Sequence, residues 1–101
     1  METSVFASDG RAVIRLSGHF DLSAHRAFRE AVERAMGSCD VQEVLVDLSG
    51  VGYLDSSALG MLLMLRDRAR ANAWHVCLAN CRDDVKQALC IANFGRLFAI
   101  T

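Results

Sequence analysis

A chain of 101 residues, 52% of them apolar, can bury one hydrophobic core and is too short for two domains of ordinary size. Its 11 basic and 12 acidic side chains leave a net charge of -1, so no global field draws it to nucleic acid or an anionic membrane. No basic-then-apolar leader is present, and no apolar run approaches the roughly 20 residues that cross a bilayer, which predicts a cytoplasmic protein with a protein or small-molecule partner.

Taken in chain order, Val5 to Ala7 reads as a short strand closed by the Asp9-Gly10 turn. A second strand follows from Ala12 to Leu16, with Ala12, Ile14 and Leu16 on one face, and is expected to end at Ser17-Gly18. Ser23 has the chemistry of an N-cap. Ala24, Ala27, Phe28, Ala31, Val32, Ala35 and Met36 then recur at three- and four-residue spacing, which predicts a helix stopped by Gly37. Val44 to Leu48 is short and apolar on both faces, as in a covered parallel sheet, and is expected to end at a Ser49-Gly50 turn.

A second helix is expected from about Ser56 to Arg70, a strand from about Trp74 to Ala79, and a third helix from about Arg82 to Ala92 with Val85, Ala88, Leu89 and Ala92 on one face. Asn93 and Gly95 break that helix before a last strand, Leu97 to Ile100. Such alternation predicts a single α/β domain, a four- to five-stranded mixed sheet packed against helices. Cys39, Cys77, Cys81 and Cys90 are expected as reduced thiols. Their spacing lacks the second close pair of a zinc site, so no metal or cofactor is expected.

The segment richest in information runs from Gly52 to Leu65. Asp55-Ser56-Ser57 lies between a loop and a helix, where a side-chain oxygen of Asp55 or Ser56 can cap the free N–H groups of the first turn. A wheel at 100° per residue gathers Ala58, Met61, Leu62, Leu65 and Ala69 on a core face. The opposite side, centred on Ser56, carries Gly60, Leu63, Met64 and Asp67, with Leu59 and Arg70 at its margin. That side has the make-up of a docking surface if no neighbouring helix covers Leu63 and Met64.

The run Leu54-Asp55-Ser56-Ser57-Ala58-Leu59-Gly60, preceded by Leu45-Val46-Asp47-Leu48 and Leu16-Ser17-Gly18-His19-Phe20-Asp21, closely resembles the STAS domain of bacterial anti-sigma-factor antagonists. The resemblance covers nearly the whole chain. It implies a STAS fold and a phosphorylation site at Ser56, with Asp21, Asp55 and Ser57 around it. It further implies a protein that is not an enzyme: unmodified, it binds an anti-sigma factor or switch kinase and so releases a sigma factor, while a serine kinase and a phosphatase set its state. Ala58 departs from the glycine many members carry. Tyr53 to Leu63 with Asn93-Phe94 and Leu97-Phe98 looks most like the proteobacterial secretion-and-biofilm subtype.

Other readings lack parts. A serine hydrolase needs an oriented base for Ser56, yet His19, His25 and His75 stand in no nucleophile motif, and G-x-S-x-G is missing. Gly50-Val51-Gly52 has neither the Lys-Ser/Thr ending of a phosphate loop nor the spacing of a dinucleotide fingerprint. The alternative within the resemblance is a non-switching STAS subunit of a lipid-transport ATPase complex, whose Ser56 is only a cap.

Overall fold

The computed structural model describes residues 1–37 and 40–101; the expectation of a thiol at Cys39 lies outside them. Five strands and three helices follow in the order β1 (Glu2–Ser8), β2 (Arg11–Phe20), α1 (His25–Met36), β3 (Glu43–Leu54), α2 (Ser56–Ala71), β4 (His75–Ala79), α3 (Asp83–Ile91) and β5 (Ala99–Ile100), with 3-10 turns at Leu22–Ala24 and Phe94–Arg96. The sheet order is β1-β2-β3-β4-β5. Only the β1–β2 pair is antiparallel; the other three are parallel, each pair joined through a helix. The expected α/β mixed sheet is therefore the fold.

The β1–β2 hairpin turns at Asp9 and Gly10, whose φ values of 52° and 80° are the left-handed pair a two-residue turn of this hand requires. Alternation along the parallel strands then decides which side is dry. Ala12, Ile14 and Leu16 of β2, Val44, Val46 and Leu48 of β3 and Leu78 of β4 are buried, and they join Phe28, Ala31, Val32 and Ala35 of α1 in one core. Helix α2 adds Ala58, Met61, Leu62 and Leu65, while α3 adds Val85 and Leu89. A fully buried Leu or Val of this kind contributes about 1.5–3 kcal/mol.

Two expected strand ends are not ends. Strand β2 runs on through Ser17-Gly18 to Phe20, and β3 runs on through Ser49-Gly50 to Leu54. The pairing shifts register between Arg15 and Ser17 and again between Gly18 and His19, so β3 carries an extra residue at each place. The Asp47 carboxylate accepts the Ser49 N–H at 3.0 Å, satisfying a donor at the first shift. A Cβ on Gly50 would lie 2.9 Å from the Leu16 carbonyl oxygen, so glycine there permits close backbone approach within a continuing strand. Local composition resembles a turn; cross-strand pairing overrides it.

The remaining boundaries move by a few residues. Strand β1 is longer than Val5 to Ala7, α1 begins at His25 after the 3-10 turn, and the expected last strand keeps only Ala99–Ile100, because Leu97 still closes the second 3-10 turn as its C-cap. Gly37 ends α1 as expected, but with right-handed backbone, φ -70°.

Candidate functional site

Strand β3 has two halves with different neighbours. Glu43 to Asp47 pair with both β2 and β4, whereas Gly50 to Leu54 pair with β2 alone. Helix α3 closes the other side: the Arg82 Nε donates to the Ser49 carbonyl at 3.1 Å, and Asp84, Val85 and Ala88 line a cleft with Gly52, Tyr53 and Leu54. The paired ends of β2 and β3 thus stand past the end of β4 and present two chain exits side by side.

Each exit is an aspartate. Asp21 follows Phe20 and Asp55 follows Leu54, and Phe20 pairs with Leu54 while the Asp55 N–H donates to the Phe20 carbonyl at 3.3 Å. Both aspartates are extended, with φ/ψ of -131°/-169° and -120°/-173°. Both cap the turn that follows. Asp21 Oδ1 accepts the Ser23 N–H at 3.0 Å and the Ser23 hydroxyl at 2.5 Å. Asp55 Oδ1 accepts the Ala58 N–H at 3.1 Å.

Two assignments follow. Ser23 does not cap α1 as expected: it lies inside the 3-10 turn that Asp21 caps, and α1 starts from Ala24 with no side-chain cap. Asp55 caps α2, so Ser56, the first residue of that helix, is not needed as its cap. The Ser56 side chain is exposed, and Ser57 beside it is half-buried. Hydrogen bonding from the Ser23 hydroxyl holds the Asp21 carboxyl below its ordinary value; partial burial opposes this, and the Ser23 N–H, His19 and the chain's amino terminus assist it.

Helix α2 divides as its sequence pattern predicts. Ala58, Met61, Leu62, Leu65 and Ala69 are buried. On the other side Gly60 and Asp67 are exposed, and Leu63 and Met64 retain 38% and 54% of their surface, so no neighbouring helix covers them. Gly60 has open space where a Cβ would go. Met64 also lines a shallow cleft against α1 with His25, Phe28, Arg29, Val32 and Arg68, which extends the exposed apolar surface around the helix.

Three features at this end were not singled out from sequence. Tyr53 is half exposed, and its ring lies 5.7 Å from that of His19, its partner in the β2–β3 register. Leu22, 69% exposed, projects from the turn capped by Asp21. Among the described residues Asp47 is the buried charged side chain, placed midway along β3 on the sheet face away from the core. Burial alone pushes its carboxyl up, and hydrogen bonds from Ser49, Asn80 and Arg15 outweigh that and hold it down. A charge inside the apolar run Val44 to Leu48 was the available signal. Of the three histidines, His75 pairs with Glu43 at the opposite end of the strands from Ser56. Cys77, Cys81 and Cys90 are free, and no cluster of His, Cys, Asp or Glu suited to a metal occurs among the described residues. Nor is any described helix long and apolar enough to cross a membrane.

A mostly parallel sheet with one antiparallel edge, leading through an aspartate cap to a serine at the head of a half-exposed helix, is the architecture of the anti-sigma-factor-antagonist fold. The unphosphorylated form of SpoIIAA, an anti-sigma factor antagonist, superimposes with a TM-score of 0.81 over 99% of this chain and 88% of that one, at 21% identity. The phosphorylated form of the same Bacillus cell-fate determinant gives 0.73 over 99% and 91%, at 20% identity. Residues 4–99 match the family profile described as "Mlab, STAS domain", and a STAS-domain containing protein of Pseudomonas aeruginosa (strain UCBPP-PA14) is 44% identical over 98% of this chain and 97% of its own length. The chain belongs to the STAS-domain family.

Proposed function

We propose that this protein is a cytoplasmic, non-catalytic partner switch: unmodified, it binds an anti-sigma factor or switch kinase and frees a sigma factor, and phosphorylation of Ser56 blocks that binding. The observation that carries the reading is the position of Ser56. Its hydroxyl is exposed at the first residue of α2 while Asp55 supplies the cap, and Leu63 and Met64 lie exposed on the same helix.

The chemistry follows from charge. Phosphorylation replaces a neutral hydroxyl by about -1.5 to -2 charges, which the positive end of the α2 dipole tolerates in the folded state. A partner that covers Leu63 and Met64 must desolvate that dianion, and a surface shaped for a hydroxyl offers it no cation. Asp21 and Asp55, on the adjoining strand ends, add repulsion to whatever anion sits there; against a kinase's metal-bound nucleotide they can instead orient the hydroxyl. That SpoIIAA has been solved in unphosphorylated and phosphorylated forms supports the fold as a carrier of such a modification.

The second reading rests on the family match, which names a STAS domain and no switch. It is a permanently docked STAS subunit of a lipid-transport ATPase complex, with Ser56 unmodified. Intact-mass analysis of the protein isolated from its own cells, with pull-down by unmodified protein, separates the two. A phosphate lost in Ser56→Ala together with capture of an anti-sigma factor supports the switch; no phosphate under any growth condition and capture of an ATPase complex overturns it.

A further inference from the structure

The sheet has a second face that the core does not use. In register across all five strands lie Phe6, Val13, Leu45, Cys77 and Ala99. Their alternation places them opposite the buried Ala12, Ile14, Val44, Val46 and Leu78. Phe6 keeps 55% of its surface, Ala99 is exposed, and Val13, Leu45 and Cys77 are half-buried. An apolar stripe one residue deep thus crosses the molecule on the side away from the core.

Charged pairs border the stripe. On one flank the Arg11 Nη2 lies 3.3 Å from the Glu43 Oε2; on the other the Arg15 Nε lies 3.3 Å from the Asp47 Oδ2, with the Arg15 guanidinium 5.6 Å from the Phe6 ring centre. In both pairs the cation belongs to β2 and the anion to β3. That arrangement selects a symmetry. A two-fold axis parallel to the strands and midway between β2 and β3 lays β2 of one copy over β3 of the other. Arg11 then faces the second copy's Glu43, Val13 its Leu45 and Phe6 its Cys77, while Asp47, with 10% of its side chain exposed, stays with its own Arg15. An axis perpendicular to the strands would set Arg11 against Arg15 and Glu43 against Asp47.

We infer that this open sheet face is a homodimer interface, two copies packing face to face with their strands aligned. Aligned packing of twisted sheets about 10 Å apart is an ordinary arrangement, and the two-fold makes the patch self-complementary. This axis overlaps β1 to β4 and leaves β5 outside, so at about 4.8 Å per strand and 3.3 Å per residue the shared patch covers roughly 14 by 13 Å, a small footprint beside the roughly 800 Å² each partner gives to a standard interface. The dimer is therefore weak, and weakens further in salt as its flanking charges are screened. The site end of α2 stays free in both copies, so this association does not depend on the switch reading.

Sedimentation equilibrium across the micromolar range tests it by charge exchange. Arg11→Glu sets a carboxylate opposite Glu43 of the second copy, and Glu43→Arg sets a guanidinium opposite its Arg11; each variant alone is expected to weaken dimerisation about tenfold or more. Mixed together, the two variants restore opposite charges at both contacts and are expected to form the heterodimer at least as tightly as the unaltered protein. Circular dichroism verifies that both exposed-pair variants remain folded. A monomeric unaltered protein throughout that range, single variants that dimerise as well as it does, or a mixture no tighter than either variant alone would overturn the inference.

Discussion

The two turns that leave the sheet at β2 and β3 start alike and end differently. Each begins with an aspartate in extended conformation at the end of a parallel strand, and each aspartate accepts a backbone N–H within the next three residues. After Asp21 the chain makes a single 3-10 turn, and the nearby serine hydroxyl, that of Ser23, is held by the aspartate itself. After Asp55 the chain enters the 16 residues of α2 directly, and the aspartate reaches past Ser56 to the N–H of Ala58. The same cap chemistry thus uses up one hydroxyl and leaves another outside. On the proposed switch reading, what distinguishes a structural serine from a modifiable one is which donor its neighbouring carboxylate has taken.

The largest expected effect lies beneath the second turn, in the helix that makes it unlike the first. Leu62→Ala, on the buried side of α2, is expected to cost about 2–5 kcal/mol, whereas Leu63→Ala next to it should stay within about 0.5 kcal/mol. Urea unfolding of the two variants measures the contrast. If Leu63→Ala proved as damaging, its side would belong to the core and the docking surface would be lost.

Next come the serines themselves. Ser56→Asp is expected to weaken anti-sigma-factor binding at least tenfold, about 1.4 kcal/mol, with the melting temperature little changed. Ser23→Asp should leave binding near its original strength, and Ser56→Ala should bind constitutively. Calorimetric titration with the captured partner compares all three. Equal losses from Ser56→Asp and Ser23→Asp would mean that either turn can serve and that the difference between them has no functional content.

A smaller effect is expected from the caps. Asp55→Ala removes the acceptor for the first turn of a long helix and should cost about 1 kcal/mol. Asp21→Ala, capping only a 3-10 turn, should cost less. Thermal unfolding of the two variants in one buffer ranks them, and a reversed order would show that the β2 exit is the more strained of the two.

The smallest is a pH effect confined to the first turn. The Asp21 carboxyl is held below its ordinary value of 3.8, chiefly by the Ser23 hydroxyl, so its ionised form is favoured in the folded state. That contribution is fully present above the ordinary carboxylate value and disappears as pH falls through the lower folded one. Carboxyl-carbon NMR should place Asp21 in Ser23→Ala nearer 3.8. An unmoved titration in that variant would assign the depression to the Ser23 N–H, His19 and the amino terminus instead.

Local pattern was enough for the elements whose periodicity is strong: the three helices, the Asp9-Gly10 hairpin, and the division of α2 into a buried face and the Ser56, Gly60, Leu63, Met64 and Asp67 face. Spacing at 3.6 residues is local information, and burial follows it. The candidate acceptor was legible at Ser56 through its resemblance to STAS sequences, and Asp21 and Asp55 with it. It took the folded molecule to show that Ser17-Gly18 and Ser49-Gly50 lie within strands, because the Leu16 carbonyl that fits against Gly50 comes from another strand. Folding alone set Tyr53 beside His19, turned the charge at Asp47 into a bridge to Arg15, and made Asp55 rather than Ser56 the cap of α2. Each of these depends on which side chain or backbone group the packed chain brings within hydrogen-bonding or contact distance. Most such partners are far apart along the chain, and no local pattern encodes them.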